Sequence, residues 1–270
     1  MTNSLTLERH SYSLAIRDLI AGLKDHKRWR RFAIFYIRRS YWRTKLGLLW
    51  PALSFALFVF MLSVVWGQLF GRDLNVYLPH FGYGFSCWIF LNAIISGSQQ
   101  VFISNASVIK EFPLPLSFYA FAKTTQEMTF LMLYLFCLTL VDLFYIHAMS
   151  WETLLVFPAL IIYFIDAVLI SLILGMLTTR FRDVSQVLPN LMRAFFFFTP
   201  VLWGIEDRPQ LAPLIYSNPL YHAIEIIRAP MSGELPTILN WAVMLGITTT
   251  AIIILLLSYK AGTRQLRAWL

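Results

Sequence analysis

The residues able to do chemistry in this 270-residue chain are few and poorly placed for catalysis. Its histidines, His10, His26, His80, His147 and His222, are scattered along the sequence. No His-Glu-x-x-His spacing sets two of them on one helical face, so no metal centre is expected. There is no Gly-x-x-x-x-Gly-Lys-Ser/Thr loop either, which excludes ATP binding by that route. The paired carboxylates are Glu206-Asp207, in a stretch that reads as a solvated turn rather than an acid–base pair. Cys87 and Cys137 fall within apolar runs and read as small fillers. Three other kinds of group stand out. One is a basic cluster, Lys27-Arg28-Trp29-Arg30-Arg31, continued by Arg38, Arg39, Arg43 and Lys45. The second is a set of polar groups embedded in apolar sequence: Gln99, Gln100 and Asp166. The third is aromatic: Phe195, Phe196, Phe197 and Phe198 in succession, then Trp203, Tyr216 and Tyr221. None of this makes a catalytic set, so neither an enzyme activity nor a bound cofactor is expected of this chain.

The elements that carry these groups are apolar and long. Hydrophobic residues make up 58% of the sequence and charged ones 13%, against about a quarter charged in soluble domains. Six stretches suit a bilayer, each near the roughly 20 residues a spanning helix needs except for one short member. They are Gly47–Phe70, Phe81–Ile103, Glu127–Ile146, Thr153–Thr178, Val187–Trp203 and Ile238–Ser258. Threading the chain with its N-terminus in the cytoplasm leaves only Arg72, Arg208 and Arg228 on the far side, so 19 of the 22 basic residues (22 less 3) fall on the near side. The reverse threading inverts that ratio, which predicts a multi-pass protein with both termini cytoplasmic. It also accounts for the net charge of +8 without nucleic acid, since cations at membrane borders meet anionic lipid. The expected organisation is a cytoplasmic amphipathic interfacial segment over 1–46, an all-α transmembrane domain over 47–258 and a cytoplasmic tail over 259–270. The N-terminus lacks the compact apolar core of a cleavable signal peptide.

Within the first segment, Ile16, Leu19, Ile20 and Leu23 share the spacing of one helical face, as do Trp29, Phe32, Ala33 and Tyr36. Both faces are expected to lie along the membrane surface, aromatics at the acyl border and cations at the headgroups. The second span carries Asn92, Ser96, Ser98, Gln99 and Gln100, and polar side chains at that depth want helix or water partners. Asp142 lies near a membrane border. Asp166 falls mid-span, where a charge costs about 2.5–3.5 kcal/mol, so it is expected to face other helices and to be paired. Between the last two spans, Leu211–Tyr216 and Leu220–Ile227 are apolar, too short to cross, and broken by Pro209, Pro213, Pro219, Pro230 and Pro236. Re-entrant outer half-helices explain them best; a hairpin lying flat on the outer surface is the alternative.

The segment Ser104–Leu116 has a logic of its own. Ser104 or Asn105 can cap a short helix, and Phe112-Pro113 must end it. Val108, Ile109 and Phe112 then form an apolar face outside the bilayer, which suits a protein partner.

Here the chain resembles a family. Arg43-Thr44-Lys45-Leu46-Gly47-Leu48-Leu49-Trp50 is similar to the start of the first span in ABC-2 type permeases of the polysaccharide-export group. Asn105–Pro113 resembles their coupling helix and Arg180-Phe181-Arg182-Asp183-Val184 their fourth-to-fifth connection. Phe198-Thr199-Pro200-Val201 and Asn218-Pro219-Leu220 match their late fifth span and the loop beyond it. The resemblance covers about residues 30–260 and is nearest to O-antigen exporter permeases, with capsule and teichoic-acid permeases close by. It implies a homodimer in the cell inner membrane, each copy bound to a separate ABC ATPase that carries the ATP and Mg. It implies that Asn105, Val108, Ile109, Lys110, Glu111 and Phe112 couple to that ATPase. Arg38, Arg39, Arg43 and Lys45 would help admit a lipid-linked, pyrophosphate-bearing polysaccharide of the lipopolysaccharide pathway. Phe195–Phe198, Trp203, Tyr216 and Tyr221 would line a pore or its gate. Successive helical residues turn by about 100°, so at most two of the four Phe can share the pore face. A small-lipid or drug exporter of the same family is the nearest alternative. An ion-coupled secondary transporter would need intramembrane relays that only Asp166 begins to supply.

Overall fold

The computed structural model describes residues 14–145, 150–205 and 209–269. Every long element among them is helical. A helix over residues 14–24 (α1) leads into α2, His26–Tyr41. The spans that follow are α3 (Leu49–Leu69) and α4 (Leu74–Gly97). Two 3₁₀ turns, Ser98–Gln100 and Ile103–Asn105, then run into the short α5, Ala106–Glu111. After it come α6 (Leu116–Tyr145), α7 (Val156–Arg180) and α8 (Val184–Phe198). The short α9 (Ala212–Tyr216) and α10 (Pro219–Met231) precede the last helix, α11 (Ile238–Trp269).

Among the described residues, five helices are long and apolar enough to cross a membrane: α3, α4, α6, α7 and α11. The expected fifth span, Val187–Trp203, appears as α8, whose 15 residues reach only about 22 Å. It stops at Phe198 because Thr199 turns extended ahead of Pro200, the restriction proline imposes on its predecessor. Helix α6 begins eleven residues before the expected Glu127. Residues Leu116–Gln126 mix polar groups with an aromatic face, and α2 packs on that face. Helix α11 runs on through Tyr259 to Trp269, so no helix break separates the expected tail from the last span.

The bundle has a buried centre and an exposed periphery. The apolar windows of α4 and α7 are 61% and 56% buried, against 22% for α3 and α6 and 17% for α11; α4 and α7 are therefore the inner helices. One apolar core joins α4 to α3, α6, α7 and α10 through Phe55, Phe81, Phe90, Leu135, Tyr163 and Ile226. The other gathers Trp29, Phe102, Ile109, Phe118, Leu172 and Leu255, from the arm, the 98–112 turn and the adjoining ends of α6, α7 and α11. These cores mark two ends of the bundle, called here the α10 end and the α5 end.

Candidate functional site

The α5 end gathers most of the residues singled out above. The turn between α4 and α5 is bolted onto α7. Ser98 Oγ lies 2.7 Å from Ser171 Oγ, and Thr178 Oγ1 donates to the Gln99 carbonyl at 2.8 Å. Phe102, wholly buried, sits over Gly175, where an added Cβ would come within 2.8 Å of its ring. Of the polar residues in this stretch, Ser98 and Gln99 do turn inward as expected, while Asn92 and Gln100 stay exposed.

Asn105 takes the N-cap position of α5 but does not cap it. Its Nδ2 donates to the Val101 carbonyl at 2.7 Å, and its Oδ1 accepts the Tyr36 hydroxyl of α2 at 3.0 Å. Ser104 donates back to the Gln100 carbonyl instead. The stop at Phe112-Pro113 is as expected, with Phe112 extended at φ −116° and ψ 130°. The apolar face is not as expected. Ile109 is 3% exposed and belongs to the chain's own core, Val108 is half-buried, and Phe112 is 54% exposed. Lys110 and Glu111 also face outward. The exposed surface of α5 is therefore Lys110, Glu111 and Phe112, because the chain's own core already uses Ile109.

The arm is held by α6. The aromatic face of α2 is the expected one, but it meets protein rather than acyl chains. Trp29 stacks on Phe121 at 5.5 Å, and Phe32 meets Phe118 edge-on at 5.4 Å. Ile34 and Phe35 stay exposed on another side. In α1 the expected face points outward: Ile16, Ile20 and Leu23 are exposed, while Ala15 and Gly22 are buried. The cause is a capping contact. Asp18 accepts the Leu116 and Ser117 backbone N–H groups, both at 2.8 Å, satisfying orphan donors at the start of α6. So close an approach admits only small residues, and a Cβ on Gly22 would lie 2.2 Å from Ser117 Oγ.

Arg38, Arg39, Arg43 and Lys45 are all exposed, at the end of α2 and in the turn into α3. Gly47 makes that turn at φ +53°, a conformation few other residues adopt readily. Burial, and then the charge of Glu127, raise the Tyr41 phenol above its ordinary value. That places the end of α2 beside a Lys123–Glu127 ion pair of 2.6 Å on α6.

The aromatics do not form one cluster. Phe196 packs on Trp88 of α4 at 5.2 Å, whereas Phe195, Phe197 and Phe198 are exposed. Tyr216 and Tyr221 meet edge-on at 5.9 Å near the α10 end, with Tyr221 buried. No ring contact joins the two groups among the described residues. Asp166 is 5% exposed and turned toward helices, as expected, yet neither carboxyl oxygen makes a hydrogen bond to a described residue. Glu206-Asp207, His10 and His147 lie outside the described residues.

One residue escaped the sequence reading. Arg228 of α10 is 4% exposed and donates to the Pro200 carbonyl at 2.7 Å, while also reaching His80 Nε2 at 3.3 Å and the Glu225 carboxylate. It ties α10 to α4 and to the stretch after α8. Gly84 leaves room for it, since a Cβ there would sit 3.3 Å from the guanidinium. The signal was present as Glu225-x-x-Arg228, an i,i+3 ion pair inside an apolar helix.

Comparison with known proteins places the chain in a family. The family model described as ABC-2 type transporter matches residues 33–231, a stretch that contains Tyr36, α5 and Arg228. The chain is also 22% identical over 218 residues to an O-antigen export system permease protein, RfbA, of Myxococcus xanthus. That match covers 75% of this chain and 80% of the relative.

Proposed function

Because the chain belongs to the ABC-2 type transporter family, we propose that it is the membrane subunit of an ATP-driven exporter that moves a lipid-linked polysaccharide across the cytoplasmic membrane. The observation that carries this reading is the α5 turn. It is locked to α7 by Phe102 and to the arm by Tyr36, and it presents Phe112 without cover. A large exposed ring on a rigid short helix suits a partner that pushes on it, such as a separate ATPase subunit bearing ATP and Mg. The polysaccharide substrate rests on the name of the Myxococcus relative and on the exposed cations of the arm. Arg and Lys in such a place suit the charge of a pyrophosphate-linked sugar.

In this reading the α5 end is cytoplasmic and α8 completes a sixth crossing with the turn that follows it, which returns the C-terminus to the cytoplasm. Two copies face each other across the uncovered sides of α3 and α8, and the exposed Phe195, Phe197 and Phe198 line the space between them. Ring faces suit a sliding glycan because they meet its C–H surface without binding one hydroxyl pattern tightly. Helices α9 and α10, with Trp203, Tyr216 and Tyr221, close the outer side. Ile16, Ile20, Leu23, Ile34 and Phe35 are the side chains that meet lipid, with cations beside them at headgroup level.

The test is ATP hydrolysis by the purified complex with its ATPase. Reversing Arg38 and Arg39 to Glu is expected to abolish stimulation by a lipid-linked glycan while leaving basal hydrolysis intact. Equal loss of both would remove the substrate role of the arm. Labelling of a cysteine placed at Ser232 by a membrane-impermeant reagent, from outside intact cells, checks the orientation. Labelling only after the cytoplasmic side is exposed would reverse it.

A further inference from the structure

A cavity of about 170 Å³ lies where the arm, the α5 turn and α6 meet. Its polar lining comes from three separate parts of the chain: Tyr36 of α2, Gln100, Ser104 and Asn105 of the turn, and Lys123 and Gln126 of α6. At about 30 Å³ per water molecule, the volume holds some five or six waters. One or two phosphoryl groups would fit; a glycan chain or a lipid tail would not.

The lining is rich in hydrogen-bond donors, and its one cation among the described residues, Lys123, is paired with Glu127 just outside it. No carboxylate lines the cavity among the described residues. Lys123 gives one of its three N–H donors to Glu127 at 2.6 Å, which leaves two free to turn elsewhere. The carboxamides of Gln100 and Gln126 are not engaged by any described residue. A tetrahedral anion with several acceptor oxygens is what such a set of donors can satisfy. Gly97 makes the seat available: a Cβ there would lie 2.9 Å from Lys123 Nζ and 3.2 Å from Cε. A side chain at position 97 would therefore displace the ammonium from the place it now holds.

We propose that this cavity seats a phosphate or diphosphate group, between the arm and the start of α5. That the group belongs to a lipid-linked sugar rests on the export reading above; the phosphate chemistry itself does not. A ligand seated here touches Tyr36 and Asn105 together, the two partners of the hydrogen bond that ties arm to turn. Occupancy is therefore registered at the residue from which α5 springs.

The experiment uses the full-length chain in detergent and titration calorimetry with three probes: farnesyl diphosphate, farnesol and inorganic diphosphate. The wild-type chain is expected to bind farnesyl diphosphate and not farnesol. Competition by inorganic diphosphate would identify the phosphate group alone as the ligand, and its failure to compete would assign the site to a lipid headgroup. Lys123→Gln is expected to weaken binding about 10- to 100-fold, the worth of a charged hydrogen bond, and Lys123→Arg to retain it within a few-fold. Gly97→Ala keeps both charged side chains and displaces the Lys123 ammonium from its present place, so it carries the test if Lys123→Gln fails to fold. Lys24→Gln, at an exposed cation of α1, should bind as wild type. Farnesol binding as well as farnesyl diphosphate, absence of binding by either phosphate probe, or full affinity in both Lys123→Gln and Gly97→Ala would each overturn the proposal. Diphosphate binding by a chain that supports no ATP-driven export would leave this site standing and remove the export reading.

Discussion

Replacing Asp18 with Ala should loosen the start of α6, although the two residues are nearly a hundred positions apart. The carboxylate accepts the Leu116 and Ser117 amides at 2.8 Å each, and the Ser117 hydroxyl returns a 2.7 Å bond to the Asp18 carbonyl. Pro115 has no N–H, so these amides are among the first that α6 must satisfy. Loss of an N-cap costs about 0.5–2 kcal/mol, and loss of a negative charge at a helix N-terminus adds about 0.3–1 kcal/mol. The sum, about 1–3 kcal/mol, corresponds to a 5- to 150-fold change in local opening. Hydrogen exchange of a peptide spanning the first turns of α6 reads this directly, and it should speed by that factor while α7 peptides stay as they were. Asp18→Asn keeps one acceptor and should give about half the energy. Gly22→Ala sharpens the case because helix propensity and packing pull in opposite directions. Propensity alone would stabilise α1 by about 1 kcal/mol, whereas the 2.2 Å approach of the new Cβ to Ser117 Oγ should push the arm away. Unchanged exchange in Asp18→Ala, or slower exchange in Gly22→Ala, would refute the docking of α1 on α6.

Arg228→Met leaves the half-buried Glu225 without its cation and the Pro200 carbonyl without its donor, and should destabilise the protein by at most about 3–5 kcal/mol, with Arg228→Met/Glu225→Leu recovering most of it; thermal melts of the purified chain measure both. Phe112→Ala should weaken association with the ATPase by about 5- to 150-fold while the permease melts as before, whereas Ile109→Ala should lower the melting temperature, its loss being that of a core residue at about 2–5 kcal/mol. Equal effects of the two on association would contradict the separation of an inner and an outer face on α5. Asp166→Leu should raise the melting temperature, since among the described residues the buried carboxyl it replaces has only the neighbouring Thr248 hydroxyl near it and no close hydrogen bond; tolerance of Asn with collapse of Leu would show instead that hydrogen bonding holds this position.

Hydropathy located five of the expected spans because the bilayer imposes a length that a window of apolar residues reports directly. The starts of α3, α7, α8 and α11 lie within three residues of the expected ones, whereas α4 begins seven and α6 eleven residues early, and α8 ends five residues short of Trp203. The start of α6 was hidden because its polar residues are matched by a distant arm, Asp18 at Ser117 and Tyr41 near Glu127, and no local window contains both partners. Helix α8 was drawn too long because apolar character continues past Phe198, while the backbone is ended by Pro200. Periodicity grouped the face of α2 correctly, but α6 rather than lipid covers it. In α1 the periodic Ile16, Ile20 and Leu23 stay outside, because the close approach to α6 admits only the small Ala15 and Gly22. At the site, the stop at Phe112-Pro113 was legible because proline geometry is local. The role of Asn105 was not, because its partner Tyr36 lies 69 residues away. Arg228 was visible only as an exception to the charge rule.

The most direct test reconstitutes the chain with its ATPase in proteoliposomes that carry a polyprenyl-diphosphate-linked oligosaccharide in both leaflets. Movement of the glycan between leaflets is followed by its susceptibility to a glycosidase confined to one side. The account predicts transfer that needs ATP and both subunits and that falls sharply in Phe112→Ala at unchanged permease content. Transfer without ATP, or by the permease alone at the same rate, would contradict it.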